Sequence, residues 1–156
     1  MNVAPVTGAV ADPSVRCADP VARRLVAAAF AQIERVYVPE RHQIAAAVLD
    51  ADGGVHLGLH LDAMVGRAAA CAEPAAVSAA RLATKAPLVA VAAVRYPKPS
   101  EDGGARIVPP CGLCRELLLD HGAPGFAAVI DAGVPALVPL ADLLPHKYVG
   151  TKWGPQ

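Results

Sequence analysis

Two short cysteine motifs, far apart in the chain, constrain the fold of these 156 residues more than any other feature. Residues 71–74 read CAEP, and residues 110–114 read PCGLC. If the thiolates of Cys71, Cys111 and Cys114 bind one zinc ion, three protein ligands leave its fourth position open, which is typical of catalytic rather than structural zinc. Such a site requires that the fold bring the two motifs together.

Glu73 stands two residues after Cys71 and is not needed as a ligand. A carboxylate so close to a metal ligand is well placed to move protons, although many helices carry a first-turn acid that only complements the helix dipole. Cys111 and Cys114 are also compatible with a redox pair, or with half of a structural site that recruits Cys17. Cys17 has no partner at ligand spacing, so the sequence favours a free or buried thiol there.

The composition limits the class of protein. The chain is 54% hydrophobic but only 4% aromatic, so small aliphatic side chains must fill the core. A formal net charge of zero provides no basic surface for nucleic acid, and no apolar run is long enough to span a bilayer. There is no evident secretory signal, and four cysteines in such a chain are more typical of metal ligands than of disulfides. We therefore expect a cytoplasmic protein with a small-molecule substrate and neither a nucleic-acid nor a membrane partner.

Turn residues and apolar periodicity divide the chain into an irregular arm, residues 1–18, and a single domain, residues 19–156. The patterns predict helices that begin near residues 19, 71 and 111. They also predict a β-hairpin from strands 44–49 and 55–62, and later strands at 88–94, 126–130 and 136–140. A long loop is expected over 95–109 and a short helix over 141–144. This order predicts an α/β fold in which helices cover a mixed sheet.

The chain resembles the cytidine deaminase superfamily, whose signature combines three Cys or His zinc ligands, a non-ligand Glu and Pro-Cys-x-x-Cys. The small tetrameric cytidine deaminases and the blasticidin-S deaminases share Cys-Ala-Glu and Pro-Cys-Gly-x-Cys-Arg with it, and the similarity spans residues 20–150. The resemblance implies a three-layer α/β/α sandwich with a five-stranded mixed sheet. It implies zinc-dependent hydrolytic deamination of a cytosine-type nucleoside or base. It also implies a homotetramer, or a homodimer, in which neighbouring subunits complete the sites.

The resemblance carries roles over to individual residues. Cys71, Cys111 and Cys114 would bind Zn²⁺, Glu73 would shuttle protons, and Ala72 would line the substrate pocket. Because the ligand set and the acid are all present, a structural-zinc scaffold without turnover is the less favoured alternative.

The ribose-binding segment departs from the family pattern. Cytidine deaminases place Asn-x-Glu-Asn before the first motif, and here those positions hold His60, Asp62 and Ala63. His60 and Asp62 share one face of a strand, so they either point into the pocket or are solvated residues at the hairpin end. His42 occupies a position that is often aromatic, and it either stacks on the substrate or lies exposed. With this motif altered, the alternative substrate is a nucleoside antibiotic such as blasticidin S, or another aminated heterocycle.

The region around the zinc ligands departs from the family as well. Many tetrameric members have an Arg directly after the catalytic Glu, and that Arg bonds to the ligand thiolates. Pro74 stands there in this chain. The candidates that could offset the charge of three thiolates are the two helix dipoles, Arg115 and Arg67. Trp153, the single tryptophan, either caps a pocket or anchors a subunit interface.

Overall fold

A computed structural model describes residues 9–101 and 103–153 of the chain. Residues 1–8 of the expected arm lie outside this range. The remainder of the arm is not wholly irregular, because Pro13–Arg16 form one turn of 3-10 helix that Asp12 caps. The Arg16 guanidinium binds the Asp131 carboxylate at 2.6 Å, which attaches the arm to the domain.

Three α-helices begin where the sequence predicts them. Helix α1 is Pro20–Val36, helix α2 is Ala72–Ala83 and helix α3 is Gly112–His121. The Asp19 side chain caps α1 by accepting a hydrogen bond of 2.8 Å from the Ala22 N–H, and Pro20 occupies the first helical position. Of the described residues, no helix is both long and apolar enough to cross a membrane.

Six strands form one mixed sheet. They are β1 Ile44–Asp50, β2 Val55–Leu59, β3 Leu88–Arg95, β4 Arg106–Val108, β5 Gly122–Asp131 and β6 Pro135–Pro139. The order is β2-β1-β3-β5-β6, and the short β4 pairs with the end of β3. The β3–β5 pair is parallel and the other pairs are antiparallel. The predicted α/β class with a five-stranded mixed sheet is confirmed, and β4 is an addition to it.

The expected elements differ from the structure in four places. The expected loop over 95–109 contains β4, a strand of three residues that is too short to produce a periodic pattern. Strand β2 ends at Leu59, so His60 and Asp62 lie beyond it rather than on it. Strand β5 starts at Gly122 rather than at residue 126, and no loop separates it from α3, which ends at His121. The short helix expected over 141–144 is a 3-10 turn at Leu140–Leu143.

The two faces of the sheet carry separate cores, and this makes the fold a three-layer sandwich. Along β1, Ala45 and Ala47 pack under α1, whereas Ala46 and Val48 pack under α2 and α3. Alternate residues of a strand point to opposite faces, so one strand serves both cores. Because the β1 side chains are small, the helices can approach the sheet closely.

Candidate active site

The three predicted zinc ligands come together in space. The sulfur atoms of Cys71, Cys111 and Cys114 all lie within 4.8 Å of one another, and Cys111 Sγ is 3.5 Å from Cys114 Sγ. Tetrahedral zinc with Zn–S bonds of about 2.3 Å separates its sulfur ligands by about 3.8 Å. The cluster therefore fits a zinc ion, and three thiols leave one coordination position for another group.

The starts of two helices position these thiols. Cys71 is the N-cap residue of α2 and Cys111 is the N-cap residue of α3. Cys114 lies one turn into α3 and is buried, whereas Cys111 is exposed. Helix N-termini favour negative charge, so both helices stabilise the thiolate forms that bind metal.

Glu73 places a buried carboxylate against the cluster. The residue is 6% exposed, and its Oε2 accepts a hydrogen bond of 3.4 Å from Cys114 Sγ. Among the described residues, no Lys, Arg or His forms a salt bridge with it. Burying an unpaired carboxylate is costly unless hydrogen bonds or a metal compensate. A simple role in complementing the helix dipole does not require that burial.

Without metal, the three thiols differ in acidity. Burial and the nearby Glu73 charge raise the pKa of Cys114 far above its ordinary range, and burial also raises the pKa of Cys71. Burial acts to raise the pKa of Cys111 too, but hydrogen bonds from the backbone of Cys114 and from neighbouring groups outweigh it, so the pKa of Cys111 is lowered. Binding of a metal ion must therefore displace protons from the more buried thiols.

The arginine beside the second motif does not face the thiols. The Arg115 side chain donates to the carbonyl oxygens of Pro110 at 2.8 Å and Leu143 at 3.0 Å. It therefore braces the segment before Cys111 against the 3-10 turn that follows β6. Arg67 is exposed in a 3-10 turn, Gly66–Ala68. Of the candidates for offsetting thiolate charge, the two helix starts are those that the structure brings to the cluster.

Cys17 is not part of the cluster. It is 1% exposed in the core under α1, on the face of the sheet opposite the core that holds Cys114. The sheet therefore separates the two thiols. This placement agrees with the predicted free, buried thiol and is incompatible with a closed four-cysteine site.

The segment after β2 runs directly beside the cluster. Leu61 and Ala70 exchange two backbone hydrogen bonds of 3.0 Å in an isolated antiparallel bridge. The bridge is isolated, and the preceding His60 N–H donates instead to the Ile44 carbonyl oxygen at 2.9 Å. The Nδ1 atom of His60 is buried without a hydrogen-bond partner among the described residues. His60 thus lies one residue before the bridge that ties this segment to Ala70, the residue that precedes Cys71.

Two other predicted substrate residues, Asp62 and His42, lie after β2 and before β1. The Asp62 side chain is exposed, and its carboxylate accepts a hydrogen bond of 2.8 Å from the Ala63 N–H. His42 is partly buried before β1, where it forms an isolated bridge with Val38. Ala72, in contrast, is fully buried between the ligand and the acid.

Gly58 positions the site, and the sequence interpretation missed it. A methyl group on Gly58 would overlap the carbonyl oxygen of Ala72 and the backbone nitrogen of Ala76. The first turn of α2 therefore packs directly on the backbone of β2. A lone glycine inside an alternating strand is a known signal for such close backbone approach.

A cavity of about 190 Å³ opens beside His60, and most of its lining was also missed. It is lined by Glu40, Arg41, Gln43, His60, Asp62 and Lys98. These residues come from the segment before β1, the segment after β2 and the loop after β3. No periodic pattern links these residues, so local sequence patterns could not predict that they line one cavity.

Known relatives match most of the chain. It is 32% identical to a blasticidin-S deaminase from Bacillus cereus over 125 residues, which is 80% of this chain and 89% of the relative. It is 36% identical to a cytidine deaminase from Mycobacterium tuberculosis over 113 residues, which is 72% of this chain and 77% of that protein. No protein-family model matches the chain.

The fold matches solved structures of the same group. The crystal structure of cytidine deaminase from Mycobacterium tuberculosis aligns with a TM-score of 0.67 and 29% identity, covering 84% of this chain and 99% of the other. With these relatives and this site, the protein is a hydrolytic deaminase that acts on a carbon–nitrogen bond. The chain belongs to the cytidine deaminase superfamily.

Proposed function

We propose that this protein removes the exocyclic amine of a cytosine-type nucleoside or base, giving the uracil compound and ammonia. The observation that carries the proposal is the buried Glu73 carboxylate held against three converging thiols that can leave one zinc position open. Neither a redox dithiol nor a closed structural zinc site requires such an acid.

In this proposal Cys71, Cys111 and Cys114 hold Zn²⁺. When bound, the ion supplies Lewis acidity, which lets water act as a nucleophile near neutral pH. Glu73 would accept one proton from the attacking water and deliver it to ring atom N3, and would then carry the second water proton from the hydroxyl at C4 to the departing amine. The water oxygen adds at C4 and the C4–N bond breaks. Burial keeps Glu73 away from bulk water during these transfers.

The residues around the cluster would hold the rest of the substrate. Ala72 would contact the ring, because it lies between Cys71 and Glu73. His60 and Asp62 would contact the group on ring atom N1, and His42 would bound the pocket from the segment before β1. The support is positional: the Leu61–Ala70 bridge sets this segment against the start of α2.

Blasticidin S is a second candidate substrate. The relative from Bacillus cereus that matches 80% of the chain is a blasticidin-S deaminase. The altered ribose motif at His60 and Asp62 favours this alternative over an unmodified nucleoside. A scaffold without turnover is the third alternative, and the buried Glu73 argues against it.

We also propose a cytoplasmic homotetramer, or a homodimer. Large apolar side chains are exposed on the surface: Met64 is 97% exposed, and Leu113, between two of the predicted ligands in sequence, is 82% exposed. Burying such side chains in a subunit interface would remove apolar surface from water. Sedimentation equilibrium would give the assembly size, and a monomer at micromolar concentration would contradict the proposal.

The deciding experiment is ammonia release from zinc-loaded protein, followed in parallel by ultraviolet absorbance. The substrates are cytidine, deoxycytidine, cytosine, blasticidin S and an aminated purine, and Glu73→Gln protein is the control. We expect release from at least one cytosine compound and nearly none from the variant. Absence of ammonia from every cytosine compound, with zinc bound, would exclude the proposed function.

A further inference from the structure

Arg115 holds the backbone on both sides of one predicted zinc ligand. We propose that it is a positioning residue for the candidate metal site: by fixing the peptide between Pro110 and Cys111, it directs the Cys111 thiol toward the other two thiols. Arg115 thereby sets how tightly the cluster binds Zn²⁺. This inference rests on the proposed zinc-dependent function, and the residue acts through Cys111 without touching metal or substrate itself.

The two cysteines at helix starts have similar extended backbones. Cys71 has φ −70° and ψ 154°, and Cys111 has φ −68° and ψ 171°. An N-cap residue has non-helical φ and ψ angles, so the helix that follows does not by itself fix the direction of its side chain. Cys114, in contrast, is in the first turn of α3 and is 1% exposed, so packing holds its sulfur. The other two thiols depend on the chain that leads into each helix.

A β-bridge fixes the chain that leads to Cys71. Ala70, the residue before it, exchanges two backbone hydrogen bonds of 3.0 Å with Leu61. The chain that leads to Cys111 reads Pro109-Pro110 instead. Proline has no backbone N–H, so these residues cannot donate in such a bridge and offer only carbonyl oxygens. A donor from elsewhere in the chain must hold this segment.

Arg115 provides that donor. Its Nε donates to the carbonyl oxygen of the buried Pro110 at 2.8 Å, and its backbone N–H donates to the Cys111 carbonyl at 2.9 Å. The peptide groups before and after the Cys111 Cα are therefore both bonded to one residue. The Arg115 Nη1 also donates to the Leu143 carbonyl at 3.0 Å, which ties the arginine to the 3-10 turn after β6. With both peptides held, the Cα–Cβ bond of Cys111 has a fixed direction.

The guanidinium group suits this role. Within residues 9–101 and 103–153, Arg115 forms no salt bridge, so no carboxylate competes for its N–H groups. Hydrogen bonds from a charged donor are stronger than neutral ones, and the planar fork of Arg presents its N–H groups in fixed directions. Cys111 is exposed, so no packed core replaces these hydrogen bonds. Partners that orient metal ligands typically account for about 10–100-fold in metal affinity.

A second contact between the same parts of the chain provides a matched control. Lys147 follows the 3-10 turn after β6, and its ammonium binds the carboxylates of Glu116 at 3.2 Å and Asp120 at 2.6 Å. Lys147 therefore ties this segment to α3, as Arg115 does, but through residues that come after both cysteines of the second motif. A general loosening of α3 would follow from the loss of either contact. Misdirection of Cys111 would follow only from the loss of Arg115.

The first test is zinc affinity, measured by competition with a chelator on reduced, zinc-loaded protein. We expect Arg115→Met to raise the zinc dissociation constant by about 10–100-fold and Lys147→Met to leave it unchanged. Arg115→Lys should lie between wild type and Arg115→Met, because Lys keeps a charged donor but lacks the fork that reaches both carbonyl oxygens. If Arg115→Met is insoluble, Arg115→Lys is compared with Lys147→Met in its place.

The second test is a spectroscopic readout of the ligand set. Co²⁺ accepts the same kinds of ligand as Zn²⁺, and its thiolate-to-cobalt charge-transfer absorption reports the thiolates that are bound. The absorption of cobalt-loaded Arg115→Met should be weaker than that of wild type, because Cys111 is no longer directed at the ion. Lys147→Met should keep the wild-type spectrum.

The outcomes separate this inference from the function beneath it. An unchanged zinc dissociation constant in the Arg115 variants overturns the inference, and so does an unchanged cobalt spectrum in Arg115→Met. An equal rise of the constant in Lys147→Met overturns it too, because α3 would then only have loosened. None of these measurements uses a substrate. If zinc-loaded wild type releases no ammonia from cytidine, cytosine or blasticidin S, the proposed function fails, while the affinity comparison still decides the role of Arg115.

Discussion

Cys17 and Cys114 are equally buried, each 1% exposed, yet of the two only Cys114 belongs to the three-cysteine cluster. Cys17 lies under α1 among aliphatic and aromatic side chains such as Leu25 and Phe30. Cys114 lies in the first turn of α3, within 3.5 Å of another thiol and 3.4 Å of a buried carboxylate. Burial alone therefore says nothing about the role of a thiol in this fold.

The difference between the two thiols arises from the elements that pack on each face of the sheet. The α1 face is packed by one long helix whose apolar side chains seal it. The other face receives the starts of α2 and α3, which bring backbone N–H groups, two N-cap thiols and Glu73 to one place. Helix starts are favourable places for negative charge, so the same sheet supports an apolar core on one face and a candidate metal site on the other.

The largest expected effect is on metal content. Wild-type protein should carry close to one zinc per chain, and Cys71→Ala, Cys111→Ala and Cys114→Ala should each lose it, because all three thiolates are needed to hold the ion. Cys17→Ala should retain it. Inductively coupled plasma mass spectrometry of purified protein measures this directly. Zinc loss in Cys17→Ala would mean that the comparison of the two faces is wrong.

The next effect is on turnover. Glu73→Gln should keep zinc and fold but lose activity by about 10²–10⁴-fold, because Gln is nearly isosteric and cannot accept a proton. Steady-state kcat on the best substrate of the panel provides the measurement. Glu116→Gln, at an acid of α3 whose carboxylate binds Lys147 at 3.2 Å, is the control and should retain activity. A near-normal kcat in Glu73→Gln would remove this residue from the mechanism.

A smaller effect tests how the sheet positions α2. Gly58→Ala should lower the free energy of unfolding by about 1–3 kcal/mol, because the added methyl group overlaps the α2 backbone. If α2 shifts to relieve the overlap, Cys71 moves and zinc affinity falls as well. Urea unfolding and competition with a chelator measure the two quantities. Gly66→Ala is the control, since a methyl group there meets no atom within 4 Å. Equal behaviour of the two variants would contradict the proposed contact.

The smallest effect concerns stability in acid. Two hydrogen bonds from Arg95, and one from the Lys98 N–H, lower the pKa of Glu101 from 4.5 to about 2, and Arg106 adds a weaker attraction. Since the folded-state pKa is the lower one, the stabilisation is complete above about pH 4.5 and is lost as pH falls toward 2. Urea unfolding at several pH values should show a shallower decline for Glu101→Gln than for wild type. Glu34→Gln, in exposed α1 on the other face, should keep the wild-type slope.

Much of this molecule was predictable from local patterns. Asp19-Pro20 and the apolar periodicity defined α1, and the two cysteine motifs marked the starts of α2 and α3. Each of these signals involves only a few neighbouring residues, so it can be recognised without knowledge of the tertiary fold. The convergence of Cys71, Cys111 and Cys114 was predictable because metal coordination imposes residue types as well as spacing. Strand β4 was missed, since three residues are too few for alternation to be recognised.

The cavity beside His60 and the role of Gly58 were decided by tertiary structure. The residues that line the cavity come from three separate segments. Their grouping depends on the Leu61–Ala70 bridge and on the loop that Glu101 anchors. The sequence by itself determined the elements and the chemistry that the cysteines and Glu73 can perform. Only contacts between distant segments determined which charged side chains line the cavity beside His60, because such contacts have no local pattern to reveal them.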